Sequence, residues 1–372
     1  MIKSIAILLP FFAVLLHNCS SAQPDNPISA NEKSPYKLEL VVDDVEIPWS
    51  ISQLPNGDLL YSEKAGQLIL FQGGAKTIVH TFDNVFTKGQ AGLFDIVLDP
   101  DYNNSGWLYI AVATSDDGGK TGNTEIFRAK LEGDKLVQLE SLYKGDPNTD
   151  KPYHFGGRIA FDKAGYLYFA IGDRGNRDEN PQDITRDGGK IYRINRDGSI
   201  PEDNPFYNTP NAKKAIYSYG HRNPQGLIYN PAVDQIWDSE HGPRGGDEMN
   251  IIKAGENNGW PVISYGINYN GTKFTNITKK EGMQQPLLYW VPSIAPCGMD
   301  YVTSDYYPDW KGDILIGSLK FMYLNRCDME GSKVVSQERL FDKKGRVRDI
   351  FQAPDGFLYV SIEYEGIFKI VK

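Results

Sequence analysis

Two short runs of this chain crowd together residue types that bind ligands and move charge: Gly220-His221-Arg222-Asn223-Pro224-Gln225-Gly226 and Glu240-His241-Gly242-Pro243-Arg244-Gly245-Gly246-Asp247-Glu248. Both sit at the ends of short strand-like segments, where a simple β-protein needs only a turn. Gly242-Pro243 and Gly245-Gly246 let backbone carbonyls come close to a ligand. A hard cation such as Ca²⁺ accepts those oxygens together with carboxylates like Asp247 and Glu248. The plainer alternative is a glycine-rich loop with solvated acids, since the acidic spacing is not that of an EF-hand.

A third run, Tyr153-His154-Phe155-Gly156-Gly157-Arg158, returns at Gly172-Asp173-Arg174. A histidine just before one strand and an aspartate just after the next lie at the same end of an antiparallel pair. That geometry suits an imidazole oriented by a carboxylate for general-base work, with a structural histidine as the alternative. In Arg346-Val347-Arg348 the strand alternation sends both arginines to one side and Val347 to the other. Together with Arg222 and Lys320, they put four cations at the ends of strand units in a chain of formal charge −9. Such a set suits a multiply carboxylated ligand; a solvated charged edge is the alternative.

The elements that must position these residues repeat. A turn with Pro, Asp, Asn or Gly followed by an alternating apolar strand occurs at Leu54-Pro55-Asn56-Gly57, Asp99-Pro100, Asp162-Lys163-Ala164-Gly165, Asn230-Pro231, Pro308-Asp309 and Pro354-Asp355-Gly356. Period-two alternation after a turn glycine reads as a hairpin, and no helical stripe of useful length competes. The copies are about 45 to 80 residues apart, enough for a four-stranded blade with loops. An all-β, six-bladed propeller of four-stranded antiparallel blades is expected. Lys37–Val42 should complete the final blade beside Ile367–Val371. A pair of β-sandwiches would need a linker near the middle, and none is visible.

The composition, with 40% hydrophobic and 12% aromatic residues, 37 Gly and 22 Pro, is that of a turn-rich globular protein. A pI near 5.2 and no clustered Lys/Arg surface argue against nucleic acid as a partner. Residues 1–22 read as a cleaved signal peptide, with an apolar run from Ile5 to Leu16 and small residues at Ser20-Ser21-Ala22. Lipidation at Cys19 is the alternative, so a periplasmic, secreted or lipid-anchored protein is expected. Residues 23–36 read as a polar linker and 37–372 as one propeller domain. Cys297 and Cys327 either pair or stay buried as small hydrophobes.

With Gly89-Gln90-Ala91-Gly92-Leu93 and Asn258-Gly259-Trp260-Pro261, these runs form an ordered series from about Pro48 to the C-terminus. The series resembles the soluble quinoprotein sugar dehydrogenases, in particular the aldose sugar dehydrogenase branch of the glucose/sorbosone dehydrogenase group. The resemblance implies a six-bladed propeller holding pyrroloquinoline quinone (PQQ) and Ca²⁺ over its channel. It also implies oxidation of the anomeric C1 hydroxyl of an aldose to a lactone, with electrons passing to an external acceptor other than NAD. Carried over by motif, His154 would take the proton of that hydroxyl and Asp173 would orient the imidazole. Arg222 and Asn223 would contact the quinone oxygens, and the carbonyls of Gly242 and Pro243 would hold calcium. Gln90, Lys320, Arg346 and Arg348 would hold the rest of the cofactor, with Asp247 close to base and cofactor. Tyr269 matches a cofactor-contacting aromatic, and Glu248 with Asn258 matches a second, structural calcium site. Tyr153 stands where the soluble glucose dehydrogenases carry an acid, so a broader aldose range is expected. A monomer or homodimer is expected.

Two other classes compete. A propeller lactonase or other hydrolase would use calcium on carboxylates and has no need of Lys320 and three arginines. A non-catalytic binding propeller would have lost His154 or the Arg222-Asn223 pair.

Overall fold

The computed structural model describes residues 28–30 and 34–372. The expected signal peptide and Cys19 lie outside the described residues. Six antiparallel sheets form a ring. Blade 1 runs Pro48–Gln53, Leu59–Glu63, Gln67–Gln72, Ala75–Thr81, and blade 2 Leu93–Leu98, Trp107–Thr114, Asn123–Glu132, Lys135–Lys144. Blade 3 runs Ile159–Phe161, Leu167–Ile171, Lys190–Ile194, Ile216–Tyr219, and blade 4 Pro224–Asn230, Gln235–Glu240, Asp247–Ile252, Leu288–Trp290. Blade 5 runs Pro296–Tyr301, Ile314–Ser318, Tyr323–Glu330, Lys333–Leu340, and blade 6 Val347–Gln352, Leu358–Ile362, Gly366–Val371. The first strand of each blade contacts those of its neighbours, so these six strands line the central channel. The expected propeller is the observed architecture.

Every one of the six repeated turn phrases falls in the hairpin between the first and second strands of its blade. The turns need their glycines: Gly57 and Gly356 sit at φ 91° and 84°, where a Cβ is penalised. Because these hairpins all point to one end of the ring, the starts of the inner strands and the ends of the second strands gather at the other. That second end gathers His154, Asp173, Arg222 and Arg348.

Lys37–Val42 pairs antiparallel with Gly366–Val371, placing Leu38 opposite Ile370 and Leu40 opposite Phe368. The two ends of the described chain thus share one sheet, which removes an open edge. Within the stretch expected to be a linker, Ser29–Ala30 instead pairs parallel to Lys333–Leu340 of blade 5, and Tyr36 is buried between Tyr307 and Trp310. Cys297 and Cys327 are both buried and free. The only helix among the described residues is the single turn Tyr102–Ser105.

Candidate active site

His154 lies just before the inner strand of blade 3 and Asp173 just after the second, so the antiparallel pair brings them together. Nδ1 of His154 is 2.6 Å from Oδ1 of Asp173. The histidine sits at φ 60°, in the left-handed region, and its amide donates to Oε1 of Gln90 at 2.8 Å. Burial, then the nearby Arg222 charge, hold the imidazole below its ordinary value, so it is neutral near pH 7 with Nε2 free to accept a proton. Burial works against ionisation of Asp173, but His154, Arg222 and the amide of Gly175 outweigh it and keep the carboxyl below its usual range.

Two residues secure this pair that sequence reading missed. The indole Nε1 of Trp260, a blade away, donates to Oδ2 of Asp173 at 2.9 Å. Arg174, fully buried, stacks on Phe155 with its guanidinium carbon 3.4 Å from the ring centroid. It also donates to the carbonyls of Tyr153, Gly122 and Lys151. It therefore pins the loop that carries His154 to blade 2. Both lie in the Gly172-Asp173-Arg174 and Asn258-Gly259-Trp260-Pro261 runs, but nothing in their spacing announces which side chain they meet.

Beside the dyad is a chamber of about 390 Å³, within the range of about 300–1,000 Å³ typical of small-molecule sites. Gln90, Arg346 and Arg348 line it, as expected. Val347 points away and is buried in the core, as the alternation requires. The doubled cation is partly answered: Glu363 accepts from Nε of Arg346 at 2.6 Å and Nε of Arg348 at 2.9 Å. Lys64 and His241 also line the chamber and were missed. Lys64 directly follows the second strand of blade 1, the position that drew attention to Asp173 in blade 3, so the same rule would have found it. Burial and the charge of Arg348 lower the Lys64 ammonium. Burial pushes the His241 imidazole down to about 3, and it stays neutral with Nε2 2.7 Å from the Pro296 carbonyl.

Other expected residues fall differently. Leu319, not Lys320, lines the chamber wall, and Lys320 is exposed just beyond the end of its strand at Ser318. Tyr269 is 73% exposed and lines none of these cavities. Asp247 and Glu248, read together as cation ligands, are consecutive on one strand and so face opposite ways. Asp247 accepts from the amides of Gly242 and Ala295 at 2.8 and 2.7 Å and from Ser293 Oγ at 2.8 Å. It braces the Gly242-Pro243 turn from beneath. Burial lifts its pKa to about 6.

Arg222 donates through Nη1 to the carbonyls of His241 and Gly242 at 2.9 and 2.6 Å, and its guanidinium carbon lies 5.3 Å from the Trp260 ring centroid. A cation at the Gly242 carbonyl would therefore compete with this guanidinium. Arg222 Nε and Asn223 Nδ2 are buried without a partner, which leaves donors for an oxygen-rich ligand. Glu248 and Asn258 both line a tight cavity behind this turn, and Asn258 Oδ1 lacks a partner. Next to it lie buried His221, Asp238 and Glu240, whose ligand atoms are within 4.8 Å of one another. Burial and then the charge of Glu240 push Asp238 and Glu248 well above the carboxylate range. This concentration of hard oxygen donors fits a divalent cation such as calcium, while the three cations of the chamber fit an anionic cofactor.

The chain is 37% identical over 358 residues to aldose sugar dehydrogenase YliI of Escherichia coli (strain K12), covering 94% of each. It is 27% identical over 446 residues to quinoprotein glucose dehydrogenase B of Acinetobacter calcoaceticus, covering 93% of this chain and 90% of that one. The PQQ-bound form of the aldose sugar dehydrogenase of Streptomyces coelicolor superposes with a TM-score of 0.75 at 27% identity, over 93% of this chain and 99% of that one. With residues 45–369 also matching the model of the glucose/sorbosone dehydrogenases, the chain belongs to that family.

Proposed function

We propose that this protein oxidises the anomeric C1 hydroxyl of aldose sugars to lactones, using PQQ and calcium and passing electrons to an external acceptor other than NAD. Family membership makes it a sugar oxidoreductase of the PQQ type; the substrate position, the metal and the acceptor are the finer parts of the reading. The observation that carries it is the neutral His154, held by Asp173 and Trp260, beside a chamber lined by Lys64, Arg346 and Arg348.

PQQ would be held by Gln90, Arg346, Arg348 and Lys64, with Arg222 and Asn223 turned to its oxygens, and calcium by the carbonyls of Gly242 and Pro243. Bound there, the pair would supply a two-electron acceptor for hydride, polarised by a Lewis acid. His154 accepts the C1 hydroxyl proton at Nε2. Asp173 fixes the tautomer from Nδ1 and stabilises the imidazolium that forms. Asp247 keeps the Gly242-Pro243 turn in place. Glu248 and Asn258 would hold a second, structural calcium. The apolar run before Ser20 supports export, where an extracytoplasmic acceptor would be met.

Purified protein loaded with PQQ and Ca²⁺ should reduce an artificial dye when given a panel of aldoses, and the product should be the lactone. No turnover with any aldose at saturating PQQ would remove the dehydrogenase reading.

A further inference from the structure

We propose a second binding site, for a neutral saccharide, in the cleft between blades 3 and 4 on the face opposite the chamber. The cleft is bounded by the first-to-second-strand hairpins of both blades, at Asp162–Ala164 and Asp234–Gln235. These lie at the far ends of the strands that begin beside His154 and Arg222. Its volume of about 490 Å³ exceeds that of the chamber and falls in the small-molecule range of about 300–1,000 Å³.

The two walls differ in kind. On blade 3, Tyr168 and Arg193 face each other across neighbouring strands. Tyr217 meets Tyr168 edge to face, with centroids 5.0 Å apart at 88°. On blade 4, Tyr229, Ile236 and Ile252 form a cross-strand ladder. A ligand would sit between an aromatic wall and a mixed aromatic and aliphatic one.

The polar groups select among ligands. Asp162 and Asp234 accept the phenol hydroxyls of Tyr168 and Tyr229 at 3.2 and 2.6 Å, and Lys163 and Lys253 stand at the rim. Arg193 is balanced by Asp203 at 2.6 Å. Cations and carboxylates thus alternate in equal measure, leaving no net field to hold a phosphate or a polyanion. A polyhydroxylated ring fits this pattern: its C–H faces lie on aromatic rings, and its hydroxyls both donate to carboxylates and accept from ammonium and guanidinium groups. One more acceptor, Oε1 of Gln235, is buried in the wall without a partner.

The test is a titration of the full, calcium-loaded chain, without added PQQ, with maltotriose and cellotriose by saturation-transfer NMR. At least one should bind, and Tyr217→Ser should weaken binding by about tenfold or more, as loss of an aromatic platform predicts. If that variant fails to fold, Ala164→Trp closes the cleft from its exposed rim and should have the same effect. Arg348→Gln, in the chamber, should leave binding unchanged, and Ala164→Trp should leave monosaccharide turnover of the PQQ-loaded protein unchanged. Absence of binding, retention of binding in Ala164→Trp, or displacement of the sugar by inorganic phosphate would overturn the proposal. Loss of dehydrogenase activity alone would not touch it.

Discussion

The central channel has two ends built from the same six inner strands, and one gathers basic side chains while the other gathers acidic ones. At the chamber, Lys64, Arg346 and Arg348 face one acid, Glu363. At the far end a cavity of about 270 Å³ is lined by Asp95, Asp300 and Asp349 around the single cation Arg158. Arg158 lies 2.8 Å from Asp349 and 3.5 Å from Asp95, stacks on Trp49 and donates to the carbonyl of Arg348. The far acids are turned inward and already used: amides of Ile159, Gln352 and Ile51 donate to Asp95, Asp300 and Asp349. Burial pushes Asp300 and Asp349 up to about 7. One end therefore keeps charge for a ligand, while the other spends it on joining blades across the axis.

That contrast can be broken at several points. The largest effect is expected for His154→Gln, which removes the proposed base and should lower kcat by about 10²–10⁴-fold. PQQ affinity, followed by cofactor absorbance, should persist; near-normal turnover would show that another group takes the proton. Next, Arg158→Leu strips the far end of its cation and strands buried carboxylates, a loss of about 3–5 kcal/mol in urea unfolding. The folded fraction should still bind PQQ, and a collapse of PQQ affinity with stability intact would mean the two ends are not divided as described. Arg348→Gln should weaken PQQ binding by about 10–100-fold, the range of one charge-assisted contact of about 1.5–3 kcal/mol, with the sugar KM little changed. A change confined to KM would move Arg348 to the substrate side.

The smallest expected effect concerns pH. Since burial and Arg222 hold His154 below about 6.5, the base form persists on the acid side of neutrality, and kcat/KM should fall only below that value. Trp260→Phe removes a donor to Asp173, making the carboxylate a stronger partner for imidazolium. The acid limb should then move to higher pH with a several-fold loss of kcat. A lower kcat with an unmoved limb would make Trp260 a packing residue only.

Much of this is legible in the sequence. The hairpins are local: a turn glycine and period-two alternation need only adjacent residues, so all six blades could be counted. The His154–Asp173 pair was legible for the same reason, since two strands of one blade join them. The Asp247–Glu248 pairing failed because neighbours on a strand face opposite ways, which becomes apparent only once the strand's start is known. Lys320 stands exposed, while its neighbour Leu319 takes the chamber wall.

The sequence alone determined the propeller, the blade count, the end of the ring where His154, Asp173 and Arg222 meet, and the family that the motifs resemble. Tertiary structure decided which side chains share a space: Trp260 on Asp173, Glu363 between two arginines, Arg222 on the Gly242 carbonyl, Arg158 across the axis to Asp349. The first and last of these contacts join different blades, and the other two bring together strand ends of one blade; their distances depend on ring closure and on strand register. Turn chemistry and alternation specify each blade locally, whereas the charge pattern of a channel exists only after the blades meet.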